Sequence, residues 1–179
     1  LAACAIAGLT PAGFTAFAAD SNAAATREFY EIRVCRLKPG AKRDLLDAYL
    51  EKAAIPALNR LGVKPVGVFT EIEPKEGPAV HVLIPYPSLE LFVATTARLN
   101  ADTAYQQAGA AYLQSPKANP AFERIDSWFL LAFAGLPKLE MPDYCREKKP
   151  RIFEMRTYES HSELKALKKV EMFNAGEIG

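Results

Sequence analysis

The 179-residue chain predicts an α+β protein: one ferredoxin-like βαββαβ unit, then the start of a second such unit, a strand plus a helix. Three observations point there. Between residues 27 and 134, apolar residues recur first at period two and then at helical spacing, in the order strand, helix, strand, strand, helix, strand. A Pro-rich linker follows over 135–150, with Pro137, Pro142 and Pro150. The stretch that opens the first unit, Phe29-Tyr30-Glu31-Ile32-Arg33-Val34-Cys35, then returns as Ile152-Phe153-Glu154-Met155-Arg156-Thr157-Tyr158, 123 residues on.

Taken in order, residues 28–35 alternate aliphatic or aromatic with charged side chains, as a strand does. Lys38-Pro39-Gly40 turns the chain. Over 41–61, Leu45, Leu46, Tyr49, Leu50, Ala53, Ala57 and Leu61 fall at helical spacing. Pro56 should kink or split that helix, and Gly62 suits the position just past its end. Residues 63–72 and 79–85 predict an antiparallel hairpin across the turn-rich 73–78. Val66, Val68, Thr70 and Ile72 share one face of the first strand; Val80, Val82 and Ile84 share one face of the second. Ser88 is a good N-cap for a helix reaching about residue 100. A second helical segment covers 102–114, with Tyr105, Ala108 and Tyr112 in line, and residues 123–134 read as the fourth strand. In the second unit, which stops at Gly179 short of a complete sheet, Ser160-His161-Ser162-Glu163 reads as a capping box. Leu164, Leu167, Val170 and Phe173 continue it as an amphipathic helix over the truncated unit, 151–179. A lone strand there would have an open edge, so the segment after Pro150 is expected to fray or associate.

Composition sets outer limits. Half the residues are hydrophobic and the formal net charge is +1, which gives no general pull toward nucleic acid or an anionic membrane surface. The densest basic cluster, Lys148-Lys149-Pro150-Arg151, is short and follows Asp143 and Glu147; it reads as a solvated linker. Residues 1–18 carry no charge, are rich in Ala, and end in the A-x-A-like Ala16-Phe17-Ala18. They read as the remnant of a secretory signal peptide, cleaved near Ala18 and leaving an exported protein. The run is too short for a stable membrane span. Cleavage would remove Cys4 and leave Cys35 and Cys145. Neither has a metal or redox spacing, so two free thiols are expected.

The segment Arg151 to Tyr158, followed by Lys168-Lys169-Val170-Glu171-Met172-Phe173-Asn174, resembles the NIPSNAP family. Ala104-Tyr105-Gln106 and Ser127-Trp128-Phe129-Leu130-Leu131-Ala132-Phe133 resemble its bacterial members, some of which are exported with tandem units. The resemblance covers about residues 28–179. It implies the dimeric α+β barrel group, in which two ferredoxin-like units close a barrel of sheets with helices outside. Self-association through sheet faces, or pairing of the two units, follows from it. Haem-using relatives of that barrel group carry an axial histidine on a helix; residues 88–114 hold none, and no cofactor is expected. The family supplies no established catalytic residues.

Period two divides the first strand into Tyr30, Ile32 and Val34 on one face and Glu31, Arg33 and Cys35 on the other. The apolar set is expected to lie under the helices. The polar set is then expected in a barrel cavity, lined by Glu31, Arg33, Glu71, His81, Asp126 and Trp128, with Glu154 and Arg156 from the second copy. There Glu31 and Arg33 form either a structural ion pair or a small-molecule pocket. In the pocket, Arg33 grips an anion or carbonyl and Glu31 or His81 moves a proton. Trp128 fills the core or stacks on an aromatic ligand. Two functions compete on this footing: a ligand-binding or assembly module, and a cofactor-independent monooxygenase or isomerase. The two histidines, His81 and His161, read as a hydrogen-bonded core residue and a capping or solvated one rather than as metal ligands, and no phosphate loop or zinc spacing is present.

Overall fold

The computed structural model describes residues 26–38, 40, 43–147 and 149–177; the predicted signal segment lies outside them. β1 (Phe29–Arg36), β2 (Gly67–Thr70), β3 (Ala79–Tyr86) and β4 (Arg124–Leu131) form one antiparallel sheet in the order β2-β3-β1-β4. That is the ferredoxin-like order, with β1 and β3 in the centre. β2 is shorter than the periodicity predicts, because its N-terminal side holds Pro65, which has no N–H to give to a ladder.

α1 (Asp44–Tyr49) passes through a π-helical turn, Leu50–Ala54, into α2 (Ile55–Arg60). The split expected at Pro56 takes this form: the wider turn lies just where the proline ring would crowd the preceding carbonyls. The helix ends in a Schellman motif. Gly62 N–H donates to the Asn59 carbonyl at 3.1 Å and Val63 N–H to Leu58 at 2.9 Å. Gly62 has φ +84°, which a side chain would strain. α3 (Leu89–Ala101) starts at Ser88, whose hydroxyl accepts from Leu91 N–H at 3.2 Å. α4 (Thr103–Leu113) starts at Asp102, whose carboxylate accepts from Tyr105 N–H at 3.0 Å and from Arg60 at 2.5 Å.

The helices cover one sheet face. Leu46, Leu50, Ala53, Ala57 and Leu58 from α1–α2, with Tyr105 from α4, pack on Cys35, Val80, Val82, Ile84 and Tyr86. α4 comes close enough that a Cβ on Gly109 would lie 3.3 Å from that of Ala53.

After β4 the chain runs through a short 3-10 turn, Asp143–Glu147, and reaches α5 (Glu163–Met172). Residues 151–160 form no strand. Their sequence carries the strand alternation, but none of the described neighbours takes up their backbone groups in a ladder, and a strand exists only as one member of a pair. The cap of α5 is Ser162, which accepts from Lys165 N–H at 3.4 Å; the box expected from Ser160 is two residues out. This segment touches the first unit at its margins. The Phe153 ring meets Phe69 edge-on at 5.2 Å, Phe173 meets Phe133 at 5.4 Å, and Gly135 N–H donates to Asn174 Oδ1 at 3.0 Å.

Gly62→Ala should lower stability by about 1–2 kcal/mol, the strain of a left-handed non-glycine residue, and Gly62→Asn by less. Urea unfolding of the three proteins measures this; an unchanged midpoint for the alanine variant would mean the helix end does not need the left-handed turn.

Candidate functional site

β1 carries the polar alternation. Register decides which face it serves. Glu31 pairs with Ile84, Arg33 with Val82 and Cys35 with Val80 on β3. Directly opposed residues share a face, so Glu31, Arg33 and Cys35 lie with the apolar row of β3, beneath the helices. Tyr30, Ile32 and Val34 lie on the open face with His81 and Leu83, and β4 adds Asp126, Trp128 and Leu130 there. The expected assignment of faces is therefore inverted. Only the charged row of β1 is in register with Val80, Val82 and Ile84, and a one-residue slip would be needed to exchange the two.

Glu31 is buried and meets four donors. Arg33 donates from Nε to Oε1 at 2.6 Å and from Nη2 to Oε2 at 3.0 Å. Ser127 of β4 donates to Oε1 at 2.8 Å, and the Tyr86 hydroxyl of β3 to Oε2 at 3.2 Å. Burial alone would raise the Glu31 carboxyl; the hydrogen bonds and charge of Arg33, with Ser127 and Tyr86, outweigh it and hold it below the usual carboxylate range. Burial likewise opposes the charge on Arg33, but Glu31 outweighs it and raises the guanidinium further. The Tyr86 hydroxyl is pushed up by burial and by the neighbouring Glu31 charge, so it remains a donor.

Beside this pair a cavity of about 160 Å³ lies between the sheet and the helices, lined by Arg33 and Cys35 below and by Leu46, Leu50, Tyr49 and Tyr105 above. Thr96 and Asn100, both exposed, also line it and mark its mouth. The Tyr49 and Tyr105 hydroxyls are 2.8 Å apart, and the Tyr49 ring stacks on Tyr112 at 3.9 Å. Burial raises Tyr49 and Tyr112 well above the ordinary phenol range, so both stay protonated. The Cys35 thiol is also pushed up by burial and stays neutral.

The other predicted site residues stand elsewhere. His81 Nε2 is 2.9 Å from Glu71 Oε1, on the open face, and its buried Nδ1 has no partner. Asp126 accepts from Arg36 at 2.8 Å and from Arg124; Arg36 also donates to Glu76 at 2.9 Å. Trp128, 48% exposed, stands next to that network. Glu154 and Arg156 form their own ion pair at 2.7 Å, out in solvent. The expected single cavity therefore does not assemble. Glu31 and Arg33 are on one side of the sheet, and Glu71, His81, Asp126 and Trp128 on the other. His81 therefore cannot move a proton in a pocket that Arg33 shares within this unit. Among the described residues no group of acidic, His or Cys side chains is arranged to hold a metal, and Cys35 and Cys145 are free thiols.

The NIPSNAP family model matches residues 30–136, more than half of the chain. The chain belongs to the NIPSNAP family. Among solved structures, an uncharacterised NIPSNAP-like domain protein from Burkholderia xenovorans is 22% identical over 64% of this chain and 93% of its own, with a TM-score of 0.50. A NIPSNAP-family protein of unknown function from Agrobacterium tumefaciens is 25% identical over 60% of this chain and 90% of its own, TM-score 0.44. A second NIPSNAP-domain protein from Burkholderia xenovorans is 20% identical over 64% and 99%, TM-score 0.46. No curated protein matches. The matched NIPSNAP region takes in all four strands and α1–α4; residues 151–177 lie beyond it.

Within the NIPSNAP unit, the site residues that the alternation does not reveal are Tyr49, Tyr86, Tyr105, Tyr112 and Ser127. Tyr49, Tyr105 and Tyr112 sit on the apolar stripes of their helices, where a tyrosine scores as a hydrophobic residue. Their signal is that three hydroxyls fall on faces that must be buried, and buried hydroxyls need partners.

Arg33→Met should cost about 3 kcal/mol at neutral pH, because it strands a buried carboxylate. Glu31→Leu combined with Arg33→Met should recover most of that loss. The wild-type pair also predicts a pH dependence. The folded carboxyl is depressed, so its contribution is fully present above the ordinary carboxylate value of about 4.3 and is lost as the pH falls through the depressed one. Glu31→Gln should flatten that acid limb. Urea midpoints across the acid range check it; an acid limb as steep in the glutamine variant would remove Glu31 as its source.

Proposed function

We propose that this NIPSNAP unit is an assembly module: its open sheet face closes against the sheet of a second like unit, forming the barrel. One observation supports this above the others. The Glu31–Arg33 row of β1 is turned under the helices, so the uncovered face carries the apolar row of β1 beside the Arg36–Asp126 and His81–Glu71 contacts. Tyr30, Ile32, Leu83, Trp128 and Leu130 share it, with Trp128 and Leu130 more than 40% exposed, while Val34 on the same face is already buried. An apolar patch of this extent is stable in water only when another surface covers it. The residues after 150 reach it at Phe69 alone among the aromatic contacts and leave Trp128 uncovered. The occupant is a second NIPSNAP-like sheet, from another copy of the chain or from a repeat announced by residues 152–158. Among the described residues no helix is long and apolar enough to cross a membrane. Export with cleavage near Ala18 belongs to the same proposal, and the N-terminal residue of the mature protein tests it.

The alternative, a cofactor-independent monooxygenase or isomerase, would have to work from the cavity beneath the helices with Arg33 and the tyrosines, without His81.

Trp128→Asp should leave the fold intact, since the side chain is half exposed, and should shift the chain from dimer to monomer in analytical ultracentrifugation. A wild-type chain that sediments as a monomer at high micromolar concentration would rule out another copy of the chain as the occupant.

A further inference from the structure

The cavity beneath the helices is separate from the open sheet face, and its chemistry restricts what can enter. Its volume, about 160 Å³, is close to the roughly 150 Å³ of an engineered apolar cavity that admits benzene. Most of its wall is aliphatic, from Leu46, Leu50 and Ile84 among others. Polar side chains interrupt that wall: Arg33, Tyr49, Tyr105 and Tyr112, Thr95, whose hydroxyl donates to the Leu91 carbonyl at 2.6 Å, and Thr96 and Asn100 at the mouth.

Among them, Arg33 and the Tyr49–Tyr105 pair have donors to spare. A guanidinium has five N–H donors and no acceptor; Glu31 takes one from Nε and one from Nη2, which leaves donors over. Tyr49 and Tyr105 share one hydrogen bond, so one of the two hydroxyls keeps a proton to give. Arg33 and that hydroxyl therefore offer donors to an entering acceptor. Charge restricts it further. Arg33 is already balanced by Glu31, at 2.6 Å, so an entering anion would meet a neutral pair and set a second negative charge near a buried carboxylate. An entering cation would find no free carboxylate among these residues. A ring matches both the volume and the tyrosine edges.

We infer that this cavity is a binding site for a small neutral ring compound bearing one acceptor oxygen, of the phenol or cyclic-ketone class. Arg33 and the Tyr49–Tyr105 pair hold the oxygen, and the leucines hold the ring. The inference is independent of barrel assembly, since it uses the opposite side of the sheet.

Ligand-observed NMR titration of the full chain tests it, with phenol, cyclohexanone, toluene and benzoate as probes. Phenol and cyclohexanone should bind at least tenfold more tightly than toluene, and benzoate should bind more weakly than either. Tyr105→Phe should remove most of the preference for phenol over toluene while leaving toluene affinity unchanged. Ala54→Leu, which extends a side chain into the cavity wall, should abolish binding of all four. Toluene binding as well as phenol would reduce the site to an apolar void. Benzoate binding most tightly would make it an anion site. Phenol binding undiminished in a folded Ala54→Leu protein would place the ligand elsewhere. Each of the three overturns the assignment, as does an absence of phenol binding to the wild type.

Discussion

The Glu31 carboxylate is where three strands meet. Arg33 reaches it from the same strand, Tyr86 from β3 and Ser127 from β4. Burying an ion costs several kcal/mol even after relaxation, so a carboxylate beneath a helix layer persists only if its oxygens are fully engaged. Four donors do this here, and they fix more than charge. Tyr86 must stand opposite the start of β1, and Ser127 must be in step with Arg33, for the bonds to form. A slip of either neighbouring strand by one residue would turn its donor to the other face and leave the carboxylate bare. The pair thus penalises wrong registers more than it stabilises the right one, the use for which buried polar groups are best attested.

The inversion of faces follows from the same constraint and carries through to function. With Glu31 and Arg33 taken under the helices, the core there becomes mixed. Cys35, Val82 and Ile84 supply apolar area, while Arg33, Tyr49 and Tyr105 keep polar atoms at a cavity wall. On the opposite face β1 contributes Tyr30, Ile32 and Val34, and the charged groups there, Arg36, Arg124 and Asp126, pair with one another. A sheet of this kind has two distinct surfaces to use. One encloses a small space within the unit; the other presents Trp128 and Leu130 outward.

Element order, the Pro56 interruption, the Ser88 and Asp102 helix starts and the βαββαβ architecture were legible in the residues, because each rests on local chemistry. Caps, turns and periods are written within a few positions. The choice of face was not, although period two divides β1 correctly into two sets. Period two says which residues go together, not which set is covered. β3 held the missing information: Val80, Val82 and Ile84 are unambiguous, and Tyr86 ends the same row. The register between β1 and β3 decides whether that row joins the odd or the even residues of β1. Register is a property of two segments some 50 residues apart, and no single-segment pattern contains it. The tyrosines of the cavity escaped for a related reason. Along their helices they count as apolar, and only the packed geometry brings Tyr49 to Tyr105.

The repeated motif separates what is local in the Glu–Arg pair from what is tertiary. In residues 152–158 there is no ladder and Glu154 and Arg156 stand in solvent, yet they still pair at 2.7 Å, against 2.6 Å for Glu31 and Arg33. Two positions along an extended backbone put both side chains on one side, so the contact itself needs no fold. In solvent such a pair contributes little, because water screens it and already satisfies both ions. Beneath the helices the same two residues become a constraint, since removing Arg33 leaves Glu31 buried and charged. What distinguishes the copies is therefore the added donors, Ser127 and Tyr86, which exist only once β3 and β4 flank the strand. A Glu-x-Arg on a strand becomes informative about burial when the strands beside it supply hydroxyls in the matching row.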